Sequence, residues 1–272
     1  MLKLMYITND PDVAEIADEA GVDRVWIDLE SKGKELRQPK NLNTVLSKHK
    51  ISDIKKVKKV LKKSKLIVRI NKIDEEAEDE INKVIESGAD IIMLPYFKTI
   101  EEVKIFLKYV NGRCKTNLLV ETKEAVDILD EILQLDGINE IHIGLNDLHL
   151  EMKLKFMFEL LSNGTVEQLC KKIQKSKITY GFGGIARVGE GTLSTEAIIA
   201  EHYRLGSTCA ILSRSFCNTS MVTDKKQIRE LFFSGVKAIR EFEKSLDDKD
   251  DNFYLNNQKF IKNKVEEIIK NI

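Results

Sequence analysis

The feature that most constrains the fold is a repeated alternation of short apolar runs and amphipathic segments. The runs, rich in β-branched residues, lie at 4–8, 24–28, 66–70, 90–95, 117–121, 138–144, 178–184 and 209–213. Each run predicts a buried strand, and the 3.6-residue spacing of apolar positions between them predicts helices. Eight such alternations predict an α/β fold, a closed (β/α)8 or TIM barrel, with a doubly wound open sheet as the competing architecture.

Length and composition restrict the function classes. The chain has 272 residues, and a single barrel of this type typically needs about 250. Its 44 Lys and Arg balance its 44 Asp and Glu, so we expect no nucleic-acid partner. No apolar run approaches the roughly 20 residues of a membrane span, which predicts a protein without a membrane partner. The four cysteines form no CxxC pair and the N-terminus lacks a signal-peptide core, so we expect a reduced, cytoplasmic compartment.

The chain divides into a barrel and a short extension. Residues 1–245 are predicted to form the catalytic barrel, and residues 246–272 an acidic linker followed by an amphipathic C-terminal helix. This helix is expected either to cap the barrel or to contact another subunit. The polar segment 31–50, which follows the second strand, is long for a connection in a compact domain and is therefore predicted to be a functional or a mobile loop.

Charged residues follow several predicted strands at the end where barrel enzymes place their active sites. Asp28 and Glu30 end the second strand, Arg69 the third and Glu121 the fifth, and Asp147 follows the sixth. Two carboxylates facing one cavity with no lysine between them are a natural site for a hard divalent cation such as Mg²⁺ or Mn²⁺. A salt bridge between Glu121 and Arg69 explains the same spacing equally well.

Four segments resemble the HpcH/HpaI aldolase and citrate lyase β-subunit family. They are GVDRVWIDLE, LIVRIN, GADIIMLPYFKT, and LLVETKEAVDILDEIL together with INEIHIGLNDL. The resemblance covers roughly residues 15–150 well and the remainder loosely. It implies that Glu121 and Asp147 bind the divalent metal and that Arg69 contacts the oxygens of an enolate.

The resemblance further implies the reaction. The expected enzyme is a metal-dependent carbon-carbon lyase or aldolase acting through an enolate of pyruvate or a related 2-oxo acid. The turn of Gly144, Leu145, Asn146 and Asp147 is expected to hold a substrate carboxylate, as the equivalent family loop does. Family members pack their barrels through C-terminal helices, so a homo-oligomer is expected.

One position departs from the family pattern. Aldolases of the family have a histidine directly after the acidic residues of the second strand, and Ser31 stands there in this chain. His49 is a candidate replacement for proton transfer, and we place it in the catalytic group with Asp28, Glu30 and Arg69. The DLE strand end with its long loop also resembles the lyase branch, so an acyl-thioester lyase is the alternative substrate class. A barrel that binds a ligand without turnover is the non-enzymatic alternative.

Two further features lie near the predicted site in sequence. The loop GFGGIARVGEG at 181–191 follows the seventh strand, where barrels commonly bind phosphate, and Arg187 is predicted to meet an anionic part of the substrate. His142 and His149 flank Asp147 in sequence and give the appearance of a metal cluster. We interpret His142 as a core histidine within the sixth strand and His149 as lying past the turn without a matching ligand.

Overall fold

The computed structural model describes residues 1–32 and 48–272. Its strands are β1 (Lys3–Ile7), β2 (Arg24–Asp28), β3 (Lys65–Arg69), β4 (Ile91–Leu94), β5 (Lys115–Val120), β6 (Glu140–Ile143), β7 (Thr179–Ile185) and β8 (Cys209–Leu212). They pair in parallel in chain order, and β1 also pairs with β8, so the sheet closes into a barrel. The predicted (β/α)8 barrel is confirmed, and the open sheet is excluded.

Helices connect the strands throughout the part of the chain that the structure describes. They are α1 (Pro11–Glu19), α2 (Ile51–Val60), α3 (Ala77–Glu86), α4 (Ile100–Val110), α5 (Lys123–Asp127), α6 (Leu129–Ile132), α7 (Leu145–Glu151), α8 (Glu159–Ser162), α9 (Thr165–Gln174), α10 (Thr195–Arg204), α11 (Lys225–Ser245) and α12 (Asp251–Lys270). Among these described helices, none is long and apolar enough to cross a membrane.

Local chemistry explains where the helices begin and end. The Asp10 carboxylate accepts hydrogen bonds from the first turn of α1, and Pro11 occupies its first position. Thr99 and Glu102 form a reciprocal capping box at the start of α4. Gly21 and Gly88 follow α1 and α3 with φ of 91° and 103°, conformations that favour glycine. These glycines turn the chain into the next strand, as the sequence predicted.

The alternation of side chains along the strands produces two apolar layers. One set fills the barrel interior: Met5, Trp26, Ile67, Ile91, Met93, Leu119 and Cys209. The intervening positions, such as Val25 and Leu66, face the helices and join the larger cluster between barrel and helical ring. Trp26 is 2% exposed, in agreement with its interpretation as a core residue.

The C-terminal helix lies against the barrel of its own chain. Helix α12 packs on α10 and α8, and it buries Ile261 and Val265. Asn257 donates through Nδ2 to the Ala197 carbonyl at 3.0 Å. The extension is therefore docked on the barrel, while the homo-oligomer and the exact domain boundary remain predictions.

Candidate active site

Arg69 lies at the centre of a group of carboxylates above the barrel. At the end of β3 its Nε and a terminal nitrogen donate to the two Asp28 oxygens at 2.8 and 2.9 Å. Its other terminal nitrogen lies 3.2 Å from a Glu30 oxygen. Parallel pairing sets Asp28 directly opposite Arg69 on the neighbouring strand, which explains the bidentate contact.

The carboxylates of this cluster are shielded from solvent. Asp28 and Glu30 are 2% and 1% exposed, so their charges need compensation. Burial acts to lower the pKa of Arg69, but Asp28 and Glu30 raise it further, and the net pKa lies above its ordinary value. Arg69 is thus a fixed cation, and its guanidinium also lies 5.3 Å from the Trp26 ring centroid.

Glu121 follows β5 and is 2% exposed. Its Oε1 accepts a hydrogen bond from the Tyr96 backbone N–H at 3.0 Å. Burial and then the negative charge of Asp147 raise its pKa well above the usual value, and the positive charge of Arg69 opposes this shift only in part. Among the ion pairs of the described residues, Arg69 is matched with Asp28 and Glu30. The alternative of a Glu121–Arg69 salt bridge is therefore not what the structure contains.

Gly144 leaves the space that Glu121 occupies. A Cβ at this position would lie 2.9 Å from the Glu121 Cβ and 3.0 Å from its Oε2. The Gly144 N–H donates to the Val120 carbonyl at 2.9 Å. Its amide is therefore bonded to the sheet, and the absence of a side chain at Gly144 makes room for Glu121. The expected part of this turn in holding a substrate carboxylate stays a prediction.

The neighbouring residues of the turn begin helix α7. Leu145 is buried at 1% exposure, Asn146 is exposed and Asp147 is half-buried. Asp147 lies close enough to Glu121 for its charge to act on the Glu121 pKa, although the two residues are 26 positions apart in the chain. The two predicted metal carboxylates are thus brought together.

Of the three histidines considered in the sequence analysis, one lies at the site and two lie in the structural framework. The Asp28 backbone N–H donates to His49 Nδ1 at 3.0 Å, so His49 lies at the end of β2 beside the Arg69 cluster. His142 is buried within β6, and burial lowers its pKa to about 3. His149 Nδ1 lies 3.2 Å from the Leu145 carbonyl within α7. The interpretation of His142 as a core residue is confirmed.

Other predictions concern the edges of the site. Arg187 lies in the loop after β7 and forms an ion pair with Glu190 at 2.8 Å, and no described contact joins it to the Arg69 cluster. Its substrate role stays a prediction. Of the predicted loop 31–50, residues 33–47 lie outside the described residues. The loop's start is anchored by Asn71, whose Oδ1 accepts from the backbone N–H groups of Ser31 and Lys32.

Sequence reasoning missed Tyr96 and Glu151. The Tyr96 hydroxyl donates to Glu151 Oε1 at 2.5 Å, and both residues line a cavity of about 270 Å³ together with Asp147. Tyr96 follows β4 in LPYFKT, at the same end of the barrel as the charged candidates. The signal was present, but a neutral phenol is not distinguished from a core aromatic by sequence.

Comparison with known proteins places the chain in a family. The family model described as HpcH/HpaI aldolase/citrate lyase matches residues 3–159, more than half of the chain. A search of curated proteins finds no match.

Solved structures share the fold at low sequence identity. An HpcH/HpaI aldolase from Desulfitobacterium hafniense DCB-2 is 16% identical, with a TM-score of 0.59 over 84% of this chain and 93% of that one. Macrophomate synthase is 15% identical, with a TM-score of 0.59 over 85% of each chain. Citrate synthase SbnG is 18% identical, with a TM-score of 0.59 over 82% of this chain and 93% of that one. The chain therefore belongs to the HpcH/HpaI aldolase/citrate lyase family, a family of lyase-type enzymes, as the sequence motifs predicted.

Proposed function

We propose that the protein is a divalent-metal-dependent carbon-carbon lyase or aldolase that acts through an enolate of pyruvate or a related 2-oxo acid. The observation that carries this proposal is the convergence of one guanidinium, Arg69, with the carboxylates of Asp28, Glu30, Glu121 and Asp147 above the barrel. Family membership supports the reaction class. The position of the cluster at the C-terminal ends of the strands is where TIM-barrel enzymes carry out chemistry.

The residues present fit a hard divalent cation. Four carboxylates lie around one guanidinium, which leaves an excess of acidic groups. Burial and then the charge of Asp147 raise the pKa of Glu121, and Arg69 offsets this only in part. Among residues 1–32 and 48–272, no group of three or more His, Cys, Asp or Glu side chains is arranged to hold a metal ion by itself. Glu121 and Asp147, whose charges interact, would supply two ligands to Mg²⁺ or Mn²⁺, and water and substrate oxygens would supply the others. When bound, the cation supplies Lewis-acid stabilisation of negative charge on the substrate oxygen.

Arg69 contributes the second positive charge. Its guanidinium has five N–H donors, and Asp28 accepts from two of them, so others remain to face a substrate oxygen beside Glu30. Asp28 fixes the plane of the guanidinium before the reaction begins. In the direction of cleavage, the C3–C4 bond of a 4-hydroxy-2-oxo acid breaks, its electron pair forms the enolate, and the hydroxyl-bearing carbon leaves as a carbonyl. Arg69 stabilises the negative charge as it develops on the enolate oxygen.

His49 is the group we assign to proton transfer. Because its Nδ1 accepts a hydrogen bond from the Asp28 N–H, the neutral ring carries its proton on Nε2. This backbone contact fixes the orientation of the ring at the end of β2, where the family histidine position is occupied by Ser31. The substrate hydroxyl loses its proton as the C–C bond breaks, and the enolate takes up a proton at C3 to give the 2-oxo acid.

The experiment is a metal-dependence test with a substrate panel. Purified protein is treated with a chelator, reloaded with Mg²⁺ or Mn²⁺, and assayed for cleavage and formation of 4-hydroxy-2-oxo acids and of acyl thioesters. We expect turnover of 2-oxo acids that disappears on chelation and in Glu121→Gln, while Glu131→Gln on the exposed face of α6 retains it. Full turnover after chelation would overturn the metal dependence. Activity only on thioesters would move the enzyme to the lyase branch, and metal retention without turnover of either class would favour a binding protein.

A further inference from the structure

Tyr96 joins two parts of the site that are distant in sequence. It lies two residues after β4 and has φ of 46°, a left-handed conformation that is uncommon for a bulky side chain. This conformation directs its backbone N–H to Glu121 Oε1 at 3.0 Å. A strained residue of this kind persists only where its surroundings hold it.

The side chain of Tyr96 reaches the other half of the site. Its hydroxyl donates to Glu151 Oε1 at 2.5 Å, and Glu151 lies on α7 four residues, or about one helical turn, after Asp147. Lys98 Nζ lies 5.3 Å from the Tyr96 ring centroid and 3.0 Å from a Glu124 oxygen. The hydroxyl and the ring of Tyr96 thus each contact a charged group.

Helix α7 needs such a tether because it is short. It has seven residues, fewer than an isolated helix requires to be stable, so its placement depends on tertiary contacts. Asp147 is half-buried on this helix, whereas Glu121 is buried and fixed by the Tyr96 N–H. The Tyr96–Glu151 hydrogen bond ties the helix of Asp147 to the residue that holds Glu121.

We propose that Tyr96 is a positioning residue, which fixes the separation of the Glu121 and Asp147 carboxylates through its backbone N–H and its hydroxyl. The assignment of those carboxylates as metal ligands rests on the proposed function. The geometric role of Tyr96 is independent of which substrate is cleaved. Partners that orient ligands typically change metal affinity by about 10- to 100-fold when they are removed.

The test measures Mn²⁺ affinity of the full chain without turnover. Tyr96→Phe keeps the ring and the backbone N–H and removes only the hydroxyl, so we expect Mn²⁺ binding to weaken by about tenfold. Glu151→Ala should weaken it similarly, whereas Glu151→Gln should lose less because its amide oxygen still accepts from Tyr96. The double variant Tyr96→Phe/Glu151→Ala should be no weaker than the weaker single variant, because both remove the same hydrogen bond.

The matched control is Tyr109→Phe on α4, which removes a hydroxyl outside the site and should leave Mn²⁺ binding unchanged. Thermal unfolding of the metal-free variants separates a general loss of stability from a loss specific to the metal. Mn²⁺ affinity of Tyr96→Phe within twofold of the wild type, or additive losses in the double variant, would overturn the positioning role. If the wild type does not bind Mn²⁺, both proposals fail. If binding follows the expected pattern without turnover of any 2-oxo acid, only the proposed reaction fails.

Discussion

At the scale of the residue, the site depends on both the positive charge of Arg69 and the planar arrangement of its guanidinium N–H donors. Its bidentate contact with Asp28 uses geometry that a lysine does not reproduce. The sequence identified this arginine and the carboxylates around it because each is a charged residue at a predicted strand end. It did not show which of them Arg69 contacts, since that depends on the register of β2 against β3.

The Arg69→Lys variant tests this dependence. Lysine keeps the positive charge but lacks the planar pair of N–H donors. We therefore expect kcat/KM for the 2-oxo acid reaction to fall by about 100-fold or more, the range seen when one stabilising donor is lost. Steady-state kinetics measure the effect, and circular dichroism verifies that the barrel is intact. A folded variant within threefold of the wild type would mean that charge alone suffices.

The Gly144→Ala variant tests whether the site requires a residue without a side chain at this position. The added Cβ would lie 2.9 Å from the Glu121 Cβ and 3.2 Å from Leu119 Cδ1, so Glu121 must move. Since Gly144 has an ordinary φ of −83°, the effect is steric and not a backbone effect. We expect at least a tenfold loss of Mn²⁺ affinity by titration, in line with the sensitivity of metal sites to ligand placement.

Gly184→Ala is the control for that substitution. Its Cβ would meet the Ile211 carbonyl at 3.5 Å and the Ser213 Cβ at 3.7 Å, which are ordinary contacts. It should bind Mn²⁺ like the wild type. Equal affinities for Gly144→Ala and the wild type would show that Glu121 is not confined as the structure indicates.

At the scale of the element, the strands were predictable because their chemistry is local. Each of the eight runs overlaps an observed strand, and no predicted end differs from the observed end by more than two residues. Strand β1, for example, is Lys3–Ile7 where 4–8 was predicted. The contacts that assemble the site were not predictable in this way. Tyr96 and Glu151 are 55 residues apart, and the sequence around either residue does not indicate that the two form a hydrogen bond.

Buried charged residues lie at both ends of the barrel, but they have different roles. At the N-terminal end Arg24 of β2 and Glu140 of β6 form a bidentate pair across the interior, with both distances 2.6 Å. Both side chains are 4% exposed, and Asn117 also donates to Glu140 at 3.3 Å. This pair is fully compensated, unlike the carboxylates at the other end, which assigns it to stability and not to chemistry.

Removing one partner of that pair should be costly. In Arg24→Met the Glu140 carboxylate remains buried without its cation, and we expect a loss of about 3–5 kcal/mol in the free energy of unfolding. Urea denaturation measures it. The double variant Arg24→Met/Glu140→Leu should recover much of the loss, because it removes the uncompensated charge as well. A single variant that costs less than about 1 kcal/mol would place the pair among weak surface interactions.

At the scale of the whole molecule, two buried histidines couple stability to pH. His142 in β6 and His202 in α10 are both fully enclosed, and burial lowers the pKa of each to about 3. The His202 ring stacks on Phe182 with centroids 3.7 Å apart, and its Nδ1 lies 2.7 Å from the Ser207 hydroxyl. The contact between His202 and Phe182 joins α10 to β7, and His142 is buried within β6, so protonation of either ring opposes the packing of the fold.

The sign of the pH effect follows from those values. Between the ordinary histidine pKa of 6.5 and about 3, the unfolded chain binds protons that the folded protein excludes. Stability should therefore be fully present above pH 6.5 and fall as the pH drops through this window, by about 1.4 kcal/mol per pH unit for each histidine. In the upper part of the window carboxylates with ordinary pKa values contribute little. Glu80 and Glu121, whose pKa values are raised in the folded protein, contribute with the opposite sign, and this contribution cancels when a histidine variant is compared with the wild type.

Urea unfolding at a series of pH values gives the slope. His202→Phe, which keeps a stacked ring that cannot titrate, should reduce it by the contribution of one histidine, about 1.4 kcal/mol per pH unit. Because the slope and not the absolute stability is compared, a less stable variant still reports on the proton. A slope unchanged in His202→Phe would mean that His202 is protonated in the folded protein, and the buried neutral pair would then be wrong.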